Sequence, residues 1–377
     1  MSRPRVVVAG LGDSGLLTAI RLVRSADVVG ISAKPALVSG QELGVRLTRP
    51  ADWASDYLVP FDRYRALDTV RTLHAEITGV DLADRTVHAR QPDGTEVAET
   101  YDALVISTGV MNGFWRRPGL QSADEVRAEI VAAHDRLAAA ASVMVIGGGA
   151  AAVSAAANIA ARWPATAVDL YFPHDRALRE HHPRVWDHLR RRLVRLGVGI
   201  HPGHRAAIPD GFGCDAITKG EVQWTTGQPP GGADAVLWAL GRVRPNTAWL
   251  PPELLDADGF VSVTPELRVP GQRGVFAIGD VAATDPLRSS ARNRADAVLA
   301  HNILAERAGR PLRSYRPPRR RWGSVIGIQS DGVEVFAPNG RPFRIPAWPV
   351  RQVLMPWIVR RGIYRGVRDN QPLGSAD

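Results

Sequence analysis

Short apolar runs, each followed by glycines, punctuate the chain. Arg5–Ala9 suits a buried parallel strand, and Leu16–Val23 has helical character. Between them stands Gly10-Leu11-Gly12-Asp13-Ser14-Gly15. The same order recurs as an apolar strand at Ser142–Ile146, a turn Gly147-Gly148-Gly149-Ala150-Ala151-Ala152, and an Ala-rich helix from Val153 to Ala161. A second strand follows each unit, at Asp27–Ile31 and at Ala167–Phe172. Leu137 to Ala161 carries no charge and is long enough on paper to cross a bilayer. The three glycines break it, so a strand, a tight turn and a buried helix are expected instead. Near the end, Trp348, Val350, Val353, Leu354, Trp357 and Ile358 fall at helical spacing, with Pro349 in the first turn. Pro356 is expected to divide that element in two.

The glycine spacing has a physical purpose. Gly10 permits the tight turn, Gly12 lets backbone approach a pyrophosphate, and Gly15 lets helix and strand pack closely. The phosphate then meets free N–H groups at a helix N-terminus, where Ser14 also lies. In the second unit Gly147 and Gly149 play these parts, Ala150 follows them among the expected cofactor-binding residues, and Ala152 takes the packing position. An acidic residue about 20 positions on would hold the ribose. Ser32 stands there in the first unit, followed by Lys34, and Asp13 brings a negative charge near the expected phosphate. Phe172 stands there in the second unit, which removes the preference for NADH. Arg176 and Arg179 follow, placed to receive a 2′-phosphate, so NADPH is favoured over NADH. The alternative is that both arginines sit on solvated surface.

Length and charge narrow the picture. A chain of 377 residues suggests two or three domains. Cys214 is the only cysteine, which excludes an internal disulfide and a dithiol redox pair and suggests a reducing, cytoplasmic setting. It lacks a nearby base and is expected to be inert. From Pro311 to Asn370 twelve Arg face Asp331, Glu334 and Asp369, an excess equal to the whole net charge of +9. That segment suits anionic lipid, an acidic protein or nucleic acid, or is a plain solvated face; no nucleic-acid partner is expected. His181, His182 and His188 are expected on the surface around a helix opening at Pro183, with no metal bound.

Further motifs lie between and after the two units. They are Ala75–Asp81, Arg85-Thr86-Val87, Asp93-Gly94 and Tyr101–Gly109, which ends Ser107-Thr108-Gly109; then Ala239–Thr247, containing Gly241 and Arg242; then Gly274–Asp280, ending Gly279-Asp280. Together these resemble the two-dinucleotide flavoprotein superfamily. The nearest likeness is to the apoptosis-inducing-factor-like group, with ferroptosis suppressor protein, and to type II NADH:quinone oxidoreductases. The resemblance implies an α/β fold of two Rossmann-type dinucleotide-binding domains, glutathione-reductase-like, with a small C-terminal domain. FAD would use 1–118 and 252–312, NAD(P) would use 119–251, and 313–377 would carry the basic tail. It implies that Asp280 hydrogen-bonds the flavin ribitol and that nicotinamide stacks on the flavin. It also implies hydride transfer from NADPH or NADH through FAD to a small-molecule acceptor, a quinone, at the inner face of a membrane. Ser154 stands where members usually carry a catalytic Glu. Two rival expectations are a reductase for an acidic ferredoxin or rubredoxin, and a degenerate nucleotide-binding flavoprotein.

Overall fold

The computed structural model describes residues 3–368, apart from 41, 112, 114, 116, 242 and 289 and the side chain of Arg292. Of the sequence readings, Arg242, Asp369 and the end of the tail lie outside the described residues.

Two five-stranded sheets dominate. The first is parallel throughout, in the order Val275–Ala277, Ala103–Ile106, Arg5–Ala9, Asp27–Ser32, Arg71–His74. The second runs Gly199–Pro202, Ala167–Phe172, Ser142–Ile146, Gly231–Trp238, all parallel, and is closed by antiparallel Thr218–Val222. Each central strand is buried on both faces, which is why its sequence is a continuous apolar run rather than an alternation. Helix Asp13–Leu22 crosses over in the first unit and helix Ala150–Arg162 in the second. The uncharged stretch is thus the end of helix Ala123–Ala138, a strand and a buried helix. No described helix is long and apolar enough to cross a membrane. Glu76–Asp81, Thr86–Arg90 and Glu96–Thr100 form a separate antiparallel sheet.

The units do not keep separate cores. Leu43 and Leu47, on the short helix Leu43–Thr48 that follows the first strands, belong to the core of the second unit. Val325, Ile326 and Phe336 join the same core from the C-terminal segment. That segment pairs strands Ile328–Gln329, Gly332–Phe336 and Pro342–Pro346, and anchors to helix Pro183–Arg195 where His188 Nε2 lies 2.8 Å from Glu334 Oε1.

Two expectations need correction. Pro183 does open its helix, but the flanking histidines are not all surface residues. His181 is buried, His182 accepts the Arg184 backbone N–H as helix cap, and His188 is held by Glu334. Pro356 does not divide the tail. One wide helix with i→i+5 bonding runs from Val350 to Ile363. Arg351, five residues before Pro356, is exposed. Water can therefore meet the carbonyl that a proline nitrogen leaves unbonded. The wider turn also scatters side chains spaced for an α-helix: Val350 is buried while Trp348, Val353, Trp357 and Ile358 stay exposed.

Candidate active site

Both glycine turns are tight where backbone packs and open where a ligand would approach. Gly10 has φ +100°, and a Cβ there would press on the Ser107 carbonyl at 2.6 Å. A Cβ at Gly15 would overlap the Gly10 carbonyl. At Gly12 it would meet nothing within 4 Å. The second turn repeats this. A Cβ at Gly147 would overlap the Ala239 carbonyl, Gly149 faces open space, and the Ala152 methyl is fully buried. Neither Gly12 nor Gly149 supplies a side-chain cap, so the first N–H groups of both helices are left for an anion. Turns of this shape could each admit a pyrophosphate, and the residues present fit FAD and a nicotinamide dinucleotide.

The two turns open into one crevice of about 1780 Å³. Its walls include Asp13, Ser14, Ser32, Lys34, Thr108, Gly109, Gly147, Gly149, Ala150, Ser154, Arg176, Arg179, Gly241, Gly279 and Asp280. Ala152 instead packs behind the wall.

Several of these side chains already have partners. Asp13 Oδ1 accepts from the Ser39 hydroxyl at 2.9 Å, and Oδ2 from the Gly40 N–H at 3.4 Å. Ser14 Oγ lies 3.3 Å from Ser290 Oγ. Ser32 Oγ accepts the Lys34 N–H at 3.3 Å. The Lys34 ammonium donates to the carbonyls of Arg117 and Gly119, at 2.5 and 2.8 Å, and so fastens the connection between the units. Burial lowers its pKa to about 8, opposed by nearby Glu129 and Glu76. Thr108 Oγ1 donates to the Asn246 carbonyl at 2.7 Å, and the Asn246 side chain returns a bond to the Thr108 carbonyl at 3.0 Å. Arg288 stacks on Phe260 and donates to the Asp280 carbonyl at 2.7 Å.

The arginines of the second site stand on the crevice wall. Arg176 makes only long bonds, 3.4 Å each, to the carbonyls of Leu178 and Arg179. Arg179 lies 3.1 Å from the His174 ring. Ser154 is buried at the contact between units, where its Oγ accepts the Gly44 N–H at 3.3 Å. The sequence reading missed Glu42, Arg46 and Asn158. Arg46 lies buried on the crevice wall, donating to the Trp115 carbonyl and packing over Trp53. Asn158 donates to the carbonyls of Ser154 and Ile326. Only its place one turn after Ser154 on the same helix face hinted at a shared role.

Two such turns facing one crevice suit a two-dinucleotide flavoenzyme. Residues 4–302 match the family described as pyridine nucleotide-disulphide oxidoreductase, and the chain belongs to it. It is an FAD-dependent NAD(P)H oxidoreductase. The chain is similar to the oxidoreductase ptaL of Pestalotiopsis fici, with 24% identity over 92% of this chain and 94% of the other. Its fold resembles an engineered water-forming NADPH oxidase bound to NADPH, with a TM-score of 0.66, 18% identity, and 88% and 74% of the two chains covered. It also resembles NDH2 from Plasmodium falciparum in complex with NADH, with a TM-score of 0.58, 14% identity, and coverage of 74% and 64%.

Proposed function

We propose that the protein passes reducing equivalents from NADPH through FAD to a quinone-like small molecule, at the surface of an anionic membrane. The observation that carries this reading is the shared crevice together with the place of Cys214. That cysteine is buried in a small core beneath Trp224 and Trp238, so no thiol pair receives the electrons. When bound, FAD takes the hydride of the nicotinamide and relays two electrons to the acceptor. The protein's part is alignment: Gly12 and Gly149 admit the pyrophosphates, Asp280 lines the flavin side, and the Gly44–Ser154 contact fixes one unit against the other.

NADPH is the favoured donor because Phe172 offers no carboxylate to a ribose and Arg176 and Arg179 flank the crevice. The NADPH oxidase it resembles is itself a variant whose changes remove an Asp and introduce two Arg. The membrane reading rests on the exposed rings of Trp348 and Trp357, with Arg361 over Trp357 at 4.9 Å. A second reading, an acidic electron-carrier protein as acceptor, draws on exposed Arg316, Arg319 and Arg320, which precede Arg321 at the crevice rim.

The test is an anaerobic spectrum of purified holoprotein before and after NADPH or NADH, then addition of a soluble benzoquinone. Bleaching by NADPH and rapid recovery with the quinone are expected. Bleaching without recovery, relieved only by an acidic carrier protein in a salt-sensitive way, would shift the acceptor to the second reading.

A further inference from the structure

We propose that Glu42 supplies the proton that accompanies the two electrons to the acceptor; the inference rests on the quinone-reductase reading above. Nicotinamide and flavin must meet between the two glycine turns, and the chain there is the short helix Leu43–Thr48 pressed on helix Ala150–Arg162 through Gly44 and Ser154. Glu42 is the residue before that helix, and it lines the crevice.

Its placement is built at some cost. Glu42 holds a left-handed backbone, φ 60° and ψ 46°, an unfavourable state for a residue with a Cβ. Opposite it, Gly327 has φ +76°, and a Cβ on Gly327 would overlap Glu42 Oε2. Gly327 is itself tied to Ser324, which lines the crevice, by a 3.1 Å bond from its N–H to the serine hydroxyl. A left-handed glutamate and a positive-φ glycine, 285 residues apart in the chain, thus agree in making room for one carboxyl group.

The balance closes. A quinone-like acceptor gains a hydride equivalent that originates on NADPH, and one proton from the Glu42 carboxyl. A hydroquinone and NADP⁺ result, and the Glu42 carboxylate regains a proton from crevice water. A positioned acid of this kind is worth roughly 10²–10⁴ in rate.

The test compares wild-type holoprotein with Glu42→Gln and Gly327→Ala, using NADPH and a soluble benzoquinone. In Glu42→Gln, flavin content and bleaching by NADPH should stay within about twofold of wild type, while reoxidation by the quinone falls about a hundredfold. Infrared difference spectra should show a carboxyl C=O band in the wild type that is missing from Glu42→Gln. Gly327→Ala, which displaces the carboxyl without removing it, should keep the band at a shifted frequency and slow reoxidation. Wild-type reoxidation in Glu42→Gln, or identical infrared spectra, overturns the role of Glu42 alone. A wild type that bleaches yet ignores the quinone overturns the acceptor reading, and this inference with it.

Discussion

The hydroxyl of Ser154 accepts a hydrogen bond from the backbone N–H of Gly44, 3.3 Å away, and this buried contact couples the two dinucleotide units. Asn158, one turn later, extends it to the C-terminal segment by donating to the Ile326 carbonyl at 3.0 Å, and Gln329 donates to Asn158 Oδ1 at 3.2 Å. Ser154 is therefore placed as a fastening between units, with its polar atom facing protein. Three segments remote in sequence converge on one helix face, and hydride transfer needs that convergence held within fractions of an ångström.

Gly44 is where this fastening is most exposed to a mutation. A Cβ there would overlap the Ser154 carbonyl and meet the Asn158 amide at 2.5 Å and the Ser154 hydroxyl at 2.6 Å. Gly44→Ala should destabilise the fold by about 1–3 kcal/mol, the scale for overpacking. It should also slow flavin bleaching by NADPH. Thermal melts and stopped-flow bleaching check both, and a variant matching wild type in both would show that the contact yields freely.

The two glycines that face open space should behave differently from those that pack. Gly12→Ala and Gly149→Ala put a methyl where only ligand would stand, so the fold should hold. Gly12→Ala should lose FAD on gel filtration, and Gly149→Ala should weaken NADPH alone. Gly10→Ala, with φ +100° and the Ser107 carbonyl in the way, should instead lower the melting temperature outright. Retention of FAD by Gly12→Ala would move the pyrophosphate away from this turn.

What could be read from sequence was local. The strand–turn–helix order at Arg5–Leu22 and Ser142–Arg162 follows from apolar runs and glycine spacing, both set within about twenty residues. What could not be read depends on partners far along the chain. Lys34 stands two residues after the position expected to hold a ribose, and nothing local shows that its ammonium is held by carbonyls more than 80 residues away. His181 looked solvated and is buried. Glu42 left no local mark, because a left-handed glutamate is stabilised by surroundings rather than by its own preference. Pro356 misled because the rule it follows assumes α-helical pitch, and the tail adopts a wider one.

Selectivity for NADPH should reside in Arg176 and Arg179. Both guanidiniums line the crevice and hold only long or ring contacts, so a 2′-phosphate could recruit them at little expense. Replacing both with Ala should weaken NADPH by about 1.5–3 kcal/mol, the range for charged hydrogen bonds, and leave NADH unchanged. Calorimetric titration of each nucleotide decides it. Equal affinities before and after the change would make the arginines ordinary surface residues.

Lys34 should leave a signature in the pH dependence of stability. Its pKa falls from 10.5 to about 8 on folding, chiefly through burial. Between those values the unfolded chain holds a proton that the folded chain does not, so stability rises with pH across that window. A neutral amine still has two N–H bonds for the Arg117 and Gly119 carbonyls, so the clamp survives deprotonation. The stability of wild type relative to Lys34→Met should therefore grow from pH 8 to pH 10.5 and be constant below pH 8. A difference that stays flat across the window would mean the ammonium is solvated.

The tail joins an exposed stretch to a docked one, and the two can be tested separately. Its far end is docked on the first unit. Tyr364 meets Tyr64 edge-on at 5.3 Å, Arg368 forks onto Asp68 at 2.6 and 2.9 Å, and Arg360 reaches Asp56 at 3.1 Å. Tyr64 is wholly buried there, and burial pushes the hydroxyl pKa of both tyrosines upward. Removing everything from Ala347 onward would strip this packing along with the exposed rings, and a loss of membrane binding could then reflect damage to the fold. Trp348, Trp357 and Ile358 are more than half exposed and contribute little to the core, so changing all three to Ser should leave the melting temperature within a few degrees. If these rings insert beneath lipid headgroups while Arg351 and Arg361 meet anionic lipid, the triple variant should no longer sediment with anionic vesicles, yet should keep its flavin and its bleaching by NADPH. The Tyr364→Ala variant should do the reverse, binding vesicles while melting earlier and shedding flavin. Full sedimentation by the triple variant would end the anchor reading and leave a soluble acceptor as the partner of the crevice.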